Sequence, residues 1–174
     1  MGFDFPTIYV NSASVNPFAI SNSTSPVPVT PNWKVTFLTA VWNFTFTIQN
    51  PNTKKCTMSF NGIDVYVLYG KDVLSNGSIK PFELERNESN LVKTTINTLP
   101  VNLSEQAAKG MEDELRTSNV VNFHIITKCL MEIVPSFSPA FNTIITTHCE
   151  NLTMLFSSDQ RAGKMLGPSK CKLF

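Results

Sequence analysis

Four cysteines, two histidines and six Asn-x-Ser/Thr sequons are the residues of this 174-residue chain from which chemistry could be built. The cysteines stand at 56, 129, 149 and 171 and lack the tight Cys-x-x-Cys pairs of zinc or thioredoxin-type sites. Disulfides or buried thiols remain. Cys149 and Cys171 bracket a loop of about twenty residues, whose closure in the unfolded chain is worth about 3 kcal/mol in the entropy picture, so they read as a staple rather than a reactive pair. Cys56 and Cys129 each fall on the apolar face of an alternating segment, which leaves a disulfide and two inert thiols equally open.

Catalysis needs a nucleophile with a base, two acids in a hollow, or a metal set, and none can be pointed to. His124 falls on the more polar face of its segment and His148 abuts Cys149, so both read as surface or boundary residues. Two His, a Cys and several Met are ligand types of a blue-copper sandwich. Such a site also wants a His shortly after the ligating Cys; Met154 follows Cys149, and no histidine does. A small hydrolase would have to gather His124 or His148 with an acid and a hydroxyl. The expectation is therefore no enzyme, no catalytic residue, no cofactor and no metal. Asn22, Asn43, Asn76, Asn87, Asn102 and Asn151 open the sequons and are candidate N-glycosylation sites.

The elements that must carry these residues alternate at period two. Trp42, Phe44, Phe46 and Ile48 oppose Asn43, Thr45, Thr47 and Gln49, which describes a half-buried strand stopped by Asn50-Pro51-Asn52. Cys56, Met58 and Phe60 repeat the pattern; beyond Asn61-Gly62 the parity switches to Ile63, Val65, Val67 and Tyr69, which predicts a turn or bulge there. Val92 to Thr98 is a shorter strand ended by Pro100. Val121 to Ile133 is the longest, turned back by the run from Pro135 to Pro139, and Phe141–Cys149 and Asn151–Phe156 follow.

One segment has helical spacing. Ser104 can cap, Glu105 follows in the first turn, and Ala107, Ala108, Met111 and Leu115 share a face over 104–117, where covering an open core end is the expected role. The first 32 residues, broken by five prolines, read as edge strands and loops; 33–156 as the main body; 157–174 as a lysine-containing tail with Lys164, Lys170 and Lys172. Seven or so short strands with one helix in a connection describe a single all-β domain, an antiparallel β-sandwich with a barrel as the alternative. The Trp and Phe stripes read as core; a carbohydrate-stacking surface would require Trp33 or Phe137 to be exposed.

Charge narrows the partners. A formal net charge of +1, with charged residues only 16% of the chain, supplies no field for nucleic acid or anionic lipid. No apolar run approaches the roughly 18 residues that cross a bilayer, and Pro6 stands where a myristoylation signal wants Ser or Thr.

Taken together the segments resemble the extracellular domain of plant NDR1/HIN1-like proteins, of the late embryogenesis abundant group 2 family. FPTIYVNSASV from Phe5 to Val15 is similar to that family's opening strand. AVWNFTFTIQNPN from Ala40 to Asn52 carries its Trp-Asn-x-Thr-Phe and Asn-Pro-Asn elements. VNFHI from Val121 matches its long strand, and CENLTMLF from Cys149 to CKLF from Cys171 its cysteine-bracketed end. Cys56 and Cys129 occupy positions more often apolar there, and Pro81-Phe82-Glu83-Leu84 replaces its Pro-Phe-Tyr-Gln. The resemblance implies a fibronectin type III-like sandwich and pairs Cys149 with Cys171. It also implies a cytoplasmic tail and a membrane helix preceding this chain, plasma-membrane placement with the domain facing the apoplast, and a role in plant defence or stress tolerance through an unknown protein partner or a wall or membrane component. No catalytic motif comes with it.

Overall fold

The computed structural model describes residues 2–24 and 34–174. Strands dominate: β1 (Thr7–Thr24), β2 (Lys34–Gln49), β3 (Cys56–Tyr69), β4 (Asp72–Ile79), β5 (Phe82–Leu84) and β6 (Ser89–Asn102) precede one helix, α1 (Glu105–Ser118). After it come β7 (Val120–Pro135), β8 (Phe141–Phe156) and three short pieces, β9 (Gly163–Met165), β10 (Ser169–Lys170) and β11 (Lys172–Leu173). Every registered pair is antiparallel, which bears out the all-β reading.

The strands form one continuous sheet, in the order β4-β3-β7-β8-β9-β1-β2-β6, that curls almost into a barrel. Two clearly separate sheets, the plain form of a sandwich, are not what the order describes. Long strands that bend at bulges account for the difference: register shifts fall between Val10 and Ser12, Val15 and Phe18, Phe60 and Ile63, and Phe123 and Ile125. A bulge adds local twist and lets one strand serve both sides of a core. The shift at Phe60/Ile63 is the one that the parity switch foretold, and Gly62 supplies it with φ +95.

Prolines misled at the N-terminus. The first half of β1, to Val15, lies between β2 and the short β9 and β10, inside the sheet, whereas residues 18–24 pair among the described residues with β2 alone and keep the expected edge character. Pro17 falls within the register shift between Val15 and Phe18, where the ladder asks for no donor. The tail is likewise part of the sheet: β9 and β10 pair with β1, and β11 with β8.

Rings from facing strands fill the centre. Trp42 of β2 meets Phe123 of β7 edge-on at 5.0 Å between centroids, and Phe18 of β1 packs on Phe156 of β8 at 4.8 Å. Trp42 is buried, and its Nε1–H donates to Thr98 Oγ1 at 2.9 Å, so the indole leaves no orphan donor. Helix α1 closes one end with Met111 and Leu115 buried. Ser104 caps it, its hydroxyl accepting from Ala107 N at 3.1 Å while Asp72 holds the Ser104 N–H at 2.8 Å.

Candidate functional site

The motif that carries the strongest resemblance turns out to be a structural pin. Asn50 is fully buried, donating from Nδ2 to Cys56 O (2.8 Å) and Leu84 O (3.2 Å) and accepting at Oδ1 from the N–H (3.1 Å) and Nδ2 (2.8 Å) of Asn52. Asn52 in turn exchanges two bonds with Asp4, Nδ2 to Asp4 O and Asp4 N to Oδ1, both 2.8 Å. Three chain segments are tied by two side chains. A polar pair so fully satisfied has no free atom for a ligand.

The cysteines separate into two kinds. Cys149 of β8 and Cys171, between β10 and β11, form a disulfide with Cα atoms 4.1 Å apart. Cys56 and Cys129 are free and buried. They cannot pair: Cys56 lies opposite Pro135, six residues along β7 from Cys129, which at about 3.3 Å per residue is roughly 20 Å against the 7 Å or so a disulfide tolerates. Burial pushes the Cys129 thiol up to about 11, and burial first and then Glu85 raise that of Cys56, so both stay protonated and inert at neutral pH.

The histidines come together on the outer face of β7 and β8. His148 stands opposite Ile126 and Lys172 with its ring 4.0 Å from that of Phe174, and His124 stands opposite Leu68 of β3. Burial, then the neighbouring His148, lower the pKa of His124 against an opposing pull from Glu150. Among the described residues no three His, Cys, Asp or Glu side chains gather where a metal could lie. The sulfur of Cys149 is committed to Cys171, so the thiolate that the copper reading needs is absent.

Among the described residues the other surface features are grooves open to solvent. Between β1 and α1 a groove lined by Phe18, Ile20, Glu112, Arg116, Asp159 and Arg161 mixes both signs of charge. Ser157 Oγ at 2.6 Å, then the Arg161 N–H at 3.1 Å, hold the Asp159 carboxylate below its ordinary pKa. Of the two rings that a stacking surface would need, Phe137 is 91% exposed at the β7–β8 turn, and Trp33 lies outside the described residues.

The sequons are the residues the fold treats most uniformly. Asn22, Asn43, Asn76, Asn87, Asn102 and Asn151 are all exposed, whereas the buried Asn50 and Asn52 open no sequon. Two of them accept a side-chain bond at Oδ1, Asn22 from the Thr36 hydroxyl (2.9 Å) and Asn43 from the Thr95 hydroxyl (2.7 Å). Alternation could have marked Asn43 and Asn151 as outward; Asn76 could not be placed, because its strand was not foreseen.

Comparison with known proteins assigns no role. No family model matches the chain, and no curated protein matches it. A crystal structure of a protein from Archaeoglobus fulgidus is similar over 75% of this chain and 93% of that one, with 9% identity and a TM-score of 0.30. No helix among the described residues is long and apolar enough to cross a membrane.

Proposed function

We propose that the chain is the extracellular, non-enzymatic interaction domain of a plant membrane-anchored defence or stress-response protein of the late embryogenesis abundant group 2 type. The observation that carries this reading is the Cys149–Cys171 disulfide. A structural disulfide persists in an oxidising compartment and is rare in the cytosol. It also stands where the resembling family has its cysteine-bracketed end. Six outward sequons agree with passage through the secretory pathway. On this reading the curled sheet is a flattened fibronectin type III-like sandwich, with β3, β7 and β8 as one layer and β1, β2 and β6 as the other.

The partner is a protein rather than a reacting small molecule, because among the described residues the grooves gather no acid, base and nucleophile together. A wall- or membrane-protective role is the second reading, and the 91% exposed Phe137 is what favours it. Alkylating the full-length protein in intact plant cells, then mapping cysteines by mass spectrometry, tests the placement. Cys149 and Cys171 should be found joined, with Cys56 and Cys129 modified only after denaturation; four modifiable thiols in a cytosolic protein would refute it. A protein partner recovered by cross-linking separates the first role from the second, which instead predicts vesicle binding on drying.

A further inference from the structure

Among the described residues the curl does not close with a backbone ladder. β4 and β6 end the sheet's strand order, and among the described residues they meet without a ladder: Ser75 Oγ donates to Asn97 O at 3.1 Å, and Gly77 lies so near Ile96 that a Cβ there would sit 2.7 Å from its Cγ1. Ile96 fills the gap from inside, and backbone groups on both edges stay unladdered. Such edges invite another strand, and proteins usually blunt them with charge. Here β4 carries only Asp72 and β6 only Lys93. Exposed apolar side chains lie along both instead: Val73, Leu91 (60% exposed) and Leu99 (78% exposed).

Sequons crowd this same seam. Asn76 lies on β4, Asn102 ends β6, Asn87 stands two residues before β6, and Asn43 on β2 faces Thr95 of β6 in register. Asn151, by contrast, lies on β8, away from both edges.

We propose that Asn43, Asn76, Asn87 and Asn102 carry N-glycans that sheathe the unladdered β4–β6 seam and keep the protein from associating edge to edge. This rests on the extracellular reading, since the donor, a lipid-diphosphate-linked oligosaccharide, is met only in the secretory pathway. Each transfer forms a bond from the asparagine Nδ2 to the anomeric carbon of the sugar, displaces the lipid diphosphate, and gives up one amide proton to base. A glycan is a bulky hydrated chain, so four around one seam do sterically what charged residues do elsewhere. They would also cover Val73, Leu91 and Leu99.

The test uses the full-length chain purified from plant cells. Peptide mapping reads occupancy at each sequon, and light scattering reads the oligomeric state before and after an endoglycosidase trims the folded protein to single sugar stumps. Occupied seam sequons and a shift from monomer to higher species on trimming are expected. A quadruple variant, N43Q, S78A, S89A and N102Q, should associate in the same way, while N151Q stays monomeric. Enzymatic trimming leaves the sequence intact, so a variant that folds badly does not decide the matter. Seam sequons bare while Asn151 is occupied and Cys149–Cys171 is joined would overturn the sheath and leave the extracellular reading standing. A trimmed protein that remains as monomeric as before would overturn it too. No occupancy anywhere together with four free thiols would take down both.

Discussion

At the residue scale, side chains that look available for recognition are mostly spent on the fold. Asn50-Pro51-Asn52 stops a strand, as proline and turn-forming asparagines should, but nothing in its spacing says that Asn50 reaches the carbonyls of Cys56 and Leu84. Those partners lie on strands that come near only after folding. Asn50→Ala removes two donated and two accepted bonds in a buried place and leaves two carbonyls short, so a loss of about 2–4 kcal/mol is expected in urea unfolding. A loss under about 1 kcal/mol would mean that water replaces the side chain. Tyr69 gives a second readout. Burial first, then the Glu114 carboxylate, push its phenol up to about 12 from the ordinary 10. The folded state therefore favours the neutral phenol: this contribution is complete below pH 10 and is lost as pH rises from about 10 towards 12. Tyr69→Phe should abolish that part of the alkaline decline, seen as a flatter difference in unfolding midpoint across this window.

At the element scale, period-two alternation made β2, β3 and β7 legible and helical spacing made α1 legible, because each buries one face against the core. Helix α1 runs from Glu105 to Ser118 with the expected Ser104 cap and the expected buried residues. β4 was illegible for a physical reason. Asn76-Gly77 inside it has the composition of a hairpin turn, yet Gly77 is there so that Ile96 of β6 can press against bare backbone. Gly110 hides a similar constraint within the helix. Replacing a mid-helix glycine by alanine ordinarily gains about 1 kcal/mol, but a Cβ at Gly110 would lie 2.6 Å from Tyr69 Oη. Gly110→Ala should therefore lower the melting temperature instead of raising it. Combined with Tyr69→Phe, which deletes the offending oxygen, the same change should become neutral or stabilising. Additive effects in that double-mutant cycle would show that the helix shifts to relieve the contact.

At the scale of the whole molecule, alternation specifies which face of each strand is inward and leaves open which edges meet. That is why an all-β, antiparallel domain could be read from the chain while the single curled sheet could not. The C-terminal tail was the other blind spot, since three strands of three residues or fewer carry no period. Its placement comes from long-range bonds: Cys171 N–H donates to Ile8 O and Phe174 N–H to Thr146 O, both at 2.9 Å. The Lys170 ammonium lies 5.8 Å from the Tyr9 ring centre. The disulfide is the covalent member of this set, and it spans a separation of 22 residues. Replacing both cysteines by serine restores the loop entropy of the unfolded chain and should lower stability by about 3 kcal/mol. Because the hydrogen bonds of β9, β10 and β11 survive the change, the loss should appear as a lower urea midpoint with a cooperative transition, not as a detached tail. Hydrogen exchange can separate these outcomes. Faster exchange confined to residues 163–174 at unchanged global stability would mean that the bridge fastens the tail alone; faster exchange across β8 and β1 as well would mean that it fastens the sheet.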